Sequence, residues 1–144
     1  MSLRNRIGIY VVCLLLSAGA TAATAEVVVV VSAKSTVKVL NNNQAADIFL
    51  GKTSRLPTGE AVVPVDQTDG SDIWDEFYMK LIGKSPAQIK SYWSKIIFTG
   101  KGQPPRELMD SKAVKKAVTA IPNRIGYIKR SEVDASVRVV MVIE

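Results

Sequence analysis

The segment Glu26-Val27-Val28-Val29-Val30-Val31-Ser32 is the strongest indication of the fold of this chain. Five consecutive β-branched residues favour a strand, and the lack of polar alternation predicts that both faces of this strand are buried. Strands of this kind occur in sheets that are covered by helices on each side. The segment therefore predicts an α/β fold.

The segments that follow the valine run alternate between helical and strand patterns. Helices are predicted at residues 43–50, 72–82, from Pro86 onward and at 111–120, and further strands at 61–66, 125–128 and 136–143. This order predicts a mostly parallel sheet flanked by helices. Pro64 removes a ladder donor, which places its strand at an edge or at a bend. In open sheets of this type, ligands bind beyond the carboxyl ends of the strands.

The residues before the valine run have the pattern of a secretory signal peptide. Arg4 and Arg6 precede an apolar run at residues 7–16, and Ala23-Thr24-Ala25 fits a cleavage site. We therefore predict a signal peptide at residues 1–25, one domain at residues 26–144, and a periplasmic location. A retained membrane anchor is the alternative, but a membrane-spanning helix needs about 20 apolar residues.

Composition limits the chemistry that the exported domain can perform. The net charge of +6 falls to +4 without Arg4 and Arg6, a mild excess that suits anions or a membrane surface and does not predict a nucleic-acid partner. Cys13, the only cysteine, lies in the predicted leader, and the chain has no histidine. These absences exclude disulfides, catalytic triads and histidine-based metal sites. No carboxylate pair suggests acid–base catalysis, so we predict neither an enzyme nor a metal or cofactor.

The turn between the second strand and the next helix is the best candidate for a binding site. It contains Gln67, Thr68, Asp69, Gly70 and Ser71. Unpaired N–H groups and the helix dipole favour an anion at such a turn, and Gly70 allows close approach to the backbone. The alternative is a simple connection in which Ser71 or Asp69 caps the helix. Asp72 would repel an incoming anion.

Two other groups of residues have a functional and a structural interpretation. Ser32 and Lys34 follow the first strand and are expected on the same side of the sheet as the turn, where they could line the same cleft. The alternative is a solvated loop. Trp74, Tyr78, Tyr92 and Trp93 recur at helical spacing. This spacing predicts a core stripe in preference to a platform for a sugar or a cofactor.

Three motifs resemble the phosphate-binding proteins of ABC transporters. The first runs from the valine strand through Ala33-Lys34 to Asp47-Ile48-Phe49-Leu50-Gly51-Lys52. The second is Val63-Pro64-Val65 with Gln67-Thr68-Asp69-Gly70-Ser71, which resembles the phosphate-binding turn R-x-D-G-S-G-T. The third, Ile121-Pro122-Asn123-Arg124-Ile125-Gly126-Tyr127-Ile128, resembles the PGAIGYV strand. The motifs follow the family order and cover nearly all of residues 26–144.

The resemblance implies a single lobe of a type 2 periplasmic-binding-protein-like fold and phosphate or another oxyanion as the ligand. Asp69, Gly70 and Ser71 match the family turn, whereas Gln67 replaces its phosphate-binding arginine and Asp72-Ile73 replaces Gly-Thr. These losses imply weak binding unless a second copy or another protein completes the cleft. An ABC permease or another inner-membrane protein is the implied partner. The alternative function is an interaction or regulatory module that docks a membrane or envelope partner without a small ligand.

Overall fold

The computed structural model describes residues 26–144, so the predicted signal peptide lies outside the described residues. The strands are β1 (Val27–Ser32), β2 (Val63–Gln67), β3 (Arg106–Leu108), β4 (Arg124–Lys129) and β5 (Val137–Ile143). The helices are α1 (Asn42–Phe49), α2 (Asp72–Ile82), α3 (Pro86–Phe98) and α4 (Ser111–Ala120), with a 3-10 turn at Arg130–Glu132. Within this part of the chain, every helix is too short or too polar to cross a membrane.

The strands form one mixed sheet in the order β3-β2-β4-β1-β5. β2 runs parallel to β3 and β4, whereas β1 runs antiparallel to both of its neighbours. The predicted α/β class is confirmed, and four of the five strands share one direction. The reversal of β1 was not predicted, because a strand that is apolar throughout carries no signal for its direction.

The valine strand is buried on both faces, as predicted. Val27, Val29 and Val31 pack into the larger core, on the face covered by α1, α2 and α3. Val28 and Val30 point to the opposite face, where they pack with Val114 and Val118 of α4. β1 therefore contributes side chains to both halves of the core.

Pro64 lies in a strand that has neighbours on both sides, so the predicted edge position is only locally correct. The N–H of Val63 donates to Asn123 on the β4 side at 2.9 Å. Because successive N–H groups alternate sides, the nitrogen of Pro64 faces the β3 side. Pairing with β3 begins one residue later, at Val65 opposite Arg106. The missing donor of Pro64 therefore breaks no ladder bond. The short strand β3 itself was not predicted.

The aromatic residues of α2 and α3 form a core stripe, as predicted. Trp74, Tyr78 and Trp93 are buried, and the half-buried Tyr92 donates its hydroxyl to the carbonyl of Leu50 at 2.7 Å. The ring of Phe77 stacks on Tyr127 of β4, with a centroid distance of 3.7 Å. These contacts hold α2 against the sheet and so position the start of α2 at the carboxyl edge of β2.

Candidate functional site

A recess of about 430 Å³ lies where the carboxyl ends of β2, β3 and β4 meet the starts of α2 and α4. Its walls come from three segments: the β2–α2 connection (Gln67 and residues 71–73), the β3–α4 connection (residues 109–112), and the end of β4 (Lys129 and Glu132). A ligand-binding site at this position is expected for a sheet in which these strands are parallel. Of the predicted site residues, Gln67 and Ser71 line this recess.

Some of the backbone N–H groups that were predicted to bind an anion already donate hydrogen bonds within the protein. The N–H of Asp69 donates to Glu107 Oε1 at 2.8 Å, and the N–H of Ser71 donates to the carbonyl of Thr68 at 3.0 Å. Among residues 26–144, no acceptor contacts the amides of Asp72 and Ile73 in the first turn of α2. These two residues line the recess. The donors available to an anion are therefore those of the helix start.

Gln67 is a structural residue in this arrangement. It is 2% exposed, and its Nε2 donates to the carbonyl of Tyr127 at 2.8 Å and to Ser111 Oγ at 3.1 Å. Both amide hydrogens thus tie β2 to β4 and to the start of α4. Gln67 borders the recess. It cannot replace the bidentate hydrogen bonds that an arginine makes to phosphate unless its own bonds to Tyr127 and Ser111 break.

The remaining residues of the predicted turn are divided between two places. Ser71 borders the recess, whereas Thr68, Asp69 and Gly70 are outside its lining. The hydroxyl of Thr68 lies 3.3 Å from the carbonyl of Met109, and the carboxylate of Asp69 lies 3.5 Å from Lys90 Nζ. Gly70 has φ 79°, which explains the glycine at this position.

Ser71 caps α2, as the alternative interpretation predicts. Its Oγ accepts a hydrogen bond from the N–H of Trp74 at 3.4 Å. We expect Ser71→Ala to lower the free energy of unfolding by about 1 kcal/mol, because the cap is lost. Urea unfolding without any added anion measures this loss. A Ser71→Asp variant, which keeps a capping acceptor, should retain most of the stability, and equal losses in both variants would contradict the capping role.

Ser32 and Lys34 lie at the opposite end of the sheet, so their predicted place beside the turn is wrong. β1 runs against β2 and β4, and its last residue therefore lies at the end where β4 begins. Ser32 is buried and its Oγ accepts from the N–H of Lys34 at 3.2 Å. Lys34 borders a separate recess with Thr36 and Glu60.

A buried carboxyl group lies on the other face of β2. Tyr127 and Tyr78 donate their hydroxyls to Asp66, Tyr78 at 2.6 Å, and the N–H of Gln67 donates at 2.9 Å. Burial raises the pKa of Asp66 from 3.8 to about 6, although these hydrogen bonds oppose the rise. Burial and the neighbouring carboxyl group of Asp66 also raise the pKa of Tyr78. No sequence pattern pointed to this cluster.

Several solved phosphate transport proteins share this fold. One is described as a phosphate ABC transporter substrate-binding protein from Clostridium perfringens with bound phosphate, and it matches with a TM-score of 0.65 and 26% identity. An ABC-type phosphate transport receptor from Vibrio cholerae matches at 0.63 and 17%, and PstS from Borrelia burgdorferi at 0.59 and 12%. The fold is that of phosphate transporter substrate-binding proteins, over the length of a single lobe.

This chain spans a little less than half of those proteins. The matches cover 80–81% of this chain and 44–46% of the solved chains. The solved proteins that share this single-lobe fold are described as transport proteins and not as enzymes. No protein-family model and no curated protein sequence matches the chain.

Three residues that line the recess were not among the site residues predicted from the sequence. Ser111 begins α4, and Lys112 and Lys129 add positive charge. The predicted helix start at residue 111 could have indicated Ser111 and Lys112. The position of Lys129 depends on the strand pairing of β4, which the sequence did not show. Asp72, Asp110 and Glu132 also line the recess. Its charge is therefore mixed, which weakens its attraction for an anion.

Proposed function

We propose that this chain is a secreted, periplasmic solute-binding-like protein that binds phosphate or another oxyanion weakly in the recess between α2 and α4. The observation that carries this proposal is the convergence of two helix starts and two lysines at the carboxyl ends of parallel strands. Helix starts favour anions through their unpaired amides and their dipoles. The phosphate bound to the Clostridium perfringens protein supports phosphate as the ligand class.

Weak affinity follows from the groups around the recess. Gln67 uses its donors within the protein, Ser71 caps its own helix, and Asp72 faces the same space as the ligand. The chain also spans less than half of the solved phosphate transport proteins, and residues 26–144 supply one wall of the cleft. A second copy of the chain or another protein would complete the cleft and raise the affinity, and an ABC permease is the natural downstream partner.

Thermal unfolding of the purified chain with phosphate, sulfate and arsenate tests the proposal, with sodium chloride at equal ionic strength as the control. Phosphate at 100 times its dissociation constant should add about 2.7 kcal/mol to the free energy of unfolding. Sedimentation with and without phosphate tests whether a second copy completes the cleft. Absence of any shift at millimolar phosphate would contradict phosphate binding.

Substitution of the two lysines tests whether the recess is the site. Lys112 and Lys129 are exposed, so Lys112→Gln with Lys129→Gln should leave the fold intact. We expect the combined variant to bind phosphate about tenfold more weakly, because charge-assisted contacts are lost. Lys116→Gln is the matched control, since Lys116 is exposed on α4 and does not line the recess. Equal phosphate affinity in all three proteins would place the anion elsewhere.

A docking module for a membrane or envelope partner is the second candidate function. Met109 favours it, because this apolar side chain is 82% exposed at the rim of the recess. The hydrogen bonds from the Asp69 amide to Glu107 and from the Trp74 amide to the Ser71 hydroxyl also favour it, because they leave fewer groups free for an anion. A chain that shows no anion-induced shift would support docking over solute binding.

A further inference from the structure

A second cavity, of about 510 Å³, lies on the other side of β2 from the recess. It is bounded by α2, α3, the end of β2, β3 and the loop that precedes β3, and it shares no lining residue with the recess. Its size is that of sites for small molecules. Its apolar walls are Trp74, Trp93, Ile89, Ile97, Pro104 and Pro105.

The charged groups that line this cavity are mainly acidic. Asp66, Asp69 and Glu107 face a single lysine, Lys90, among the described residues that line it. Lys90 Nζ lies 3.5 Å from Asp69, so this pair is close to neutral. Besides Lys90, the described residues that line the cavity include no lysine or arginine, so Asp66 and Glu107 are not balanced. The cavity therefore favours a positively charged ligand.

Asp66 retains an unused acceptor position. An ionised carboxylate accepts about four hydrogen bonds, and Asp66 receives three from the protein: two at Oδ1, from Tyr127 and Gln67, and one at Oδ2, from Tyr78. The residue is 4% exposed and lines the cavity. A buried carboxylate with no cationic partner is costly, and a cation that enters the cavity would offset this cost.

The apolar walls suit the body of such a ligand. Trp74 and Trp93 line the cavity. Tryptophan is the aromatic residue type that attracts cations most strongly through the face of its ring. Ile89 and the proline pair provide a surface for an apolar group. We propose that this cavity binds a protonated primary amine with an apolar body, held by Asp66 and Glu107 and packed against the two tryptophans. This second site does not depend on the proposed phosphate function.

Titration of tryptophan fluorescence with 2-phenylethylamine tests the proposal, because both tryptophans line the cavity. The neutral analogue 2-phenylethanol and the acid 3-phenylpropionate serve as comparison ligands. We expect the amine to bind about tenfold more tightly than the alcohol, since hydrogen bonds between charged groups are stronger than those of a neutral hydroxyl. Equal affinity for amine and alcohol, or no saturable change with the amine, would overturn the proposal.

Variants of the two carboxyl groups make the test specific. Asp66→Asn and Glu107→Gln keep the shape and one acceptor oxygen, and each should weaken amine binding about tenfold. Glu107 is exposed, so Glu107→Gln remains usable even if Asp66→Asn does not fold. Glu76→Gln is the control, because it removes the same charge from α2 outside the cavity. Unchanged amine affinity in a folded Glu107→Gln variant would refute the assignment.

Discussion

Replacing Gly126 with alanine should lower the free energy of unfolding by about 1–3 kcal/mol, the usual effect of overpacking a core. A Cβ atom at this position would lie 2.5 Å from Val114 Cγ1 and 3.1 Å from Val65 Cγ2. Gly126 pairs with Val30 in the middle of the sheet, so β4 cannot move away without disturbing β1. Urea unfolding of the variant and of the parent chain measures the loss.

A compensating substitution shows whether this contact is the cause. Val114→Ala removes the methyl group that the new Cβ would meet, so the double variant should be about 1 kcal/mol more stable than the sum of the single effects predicts. Gly102→Ala is the matched control, because its Cβ would meet only Ile96 at an ordinary contact distance of 3.5 Å. Simple additivity of Gly126→Ala and Val114→Ala would show that the clash is relieved elsewhere.

The stability of the parent chain should fall by about 2 kcal/mol relative to Asp66→Asn as the pH rises from 4 to 7, since each pKa unit is worth about 1.4 kcal/mol and the unfolded carboxyl group is already partly ionised at pH 4. The pKa of Asp66 is about 6 in the folded chain and has an ordinary value of 3.8. The folded state therefore binds the proton more tightly than the unfolded state does. This stabilising contribution is largest below the ordinary pKa of 3.8 and is lost as the pH rises through about 6.

Urea unfolding of both proteins at pH values from 4 to 8 tests this expectation. Asparagine does not titrate, so the difference between the two curves isolates Asp66. Asp134→Asn is the control. Hydrogen bonds from Ser136 and Lys115 lower the pKa of the exposed Asp134 to about 2. The contribution of Asp134 to stability is therefore lost only at a pH below the range of this experiment. Parallel curves for the parent chain and Asp66→Asn between pH 4 and 7 would contradict a raised pKa.

Asp66 and Gln67 explain how one strand end serves two different cavities. As neighbours on β2, their side chains point to opposite faces of the sheet. Asp66 lines the tryptophan-walled cavity, and Gln67 lines the recess between α2 and α4. A substitution at either residue should therefore affect one proposed ligand more than the other. This separation allows the phosphate and amine proposals to succeed or fail independently.

Local sequence predicted much of the site's framework. The start of α2 at Ser71 and of α4 at residue 111 depends on capping side chains that act within three residues, so both starts were predictable. The strand-to-helix turn and its glycine are equally local. The partners of Gln67 and Asp66 were not predictable, because Tyr127 lies 60 or 61 residues away along the chain.

Three features could be predicted from the sequence alone: the α/β class, the burial of both faces of β1 and the place of the turn at the carboxyl end of β2. These features depend on hydrophobic pattern and on local caps, which any single segment already contains. The direction of β1, the separation of Ser32 and Lys34 from the recess, and the hydrogen bonds that make Gln67 a structural residue are visible only in the folded chain. The physical reason is that an apolar strand buries the same surface in either direction, so its direction is chosen by the strands that pair with it.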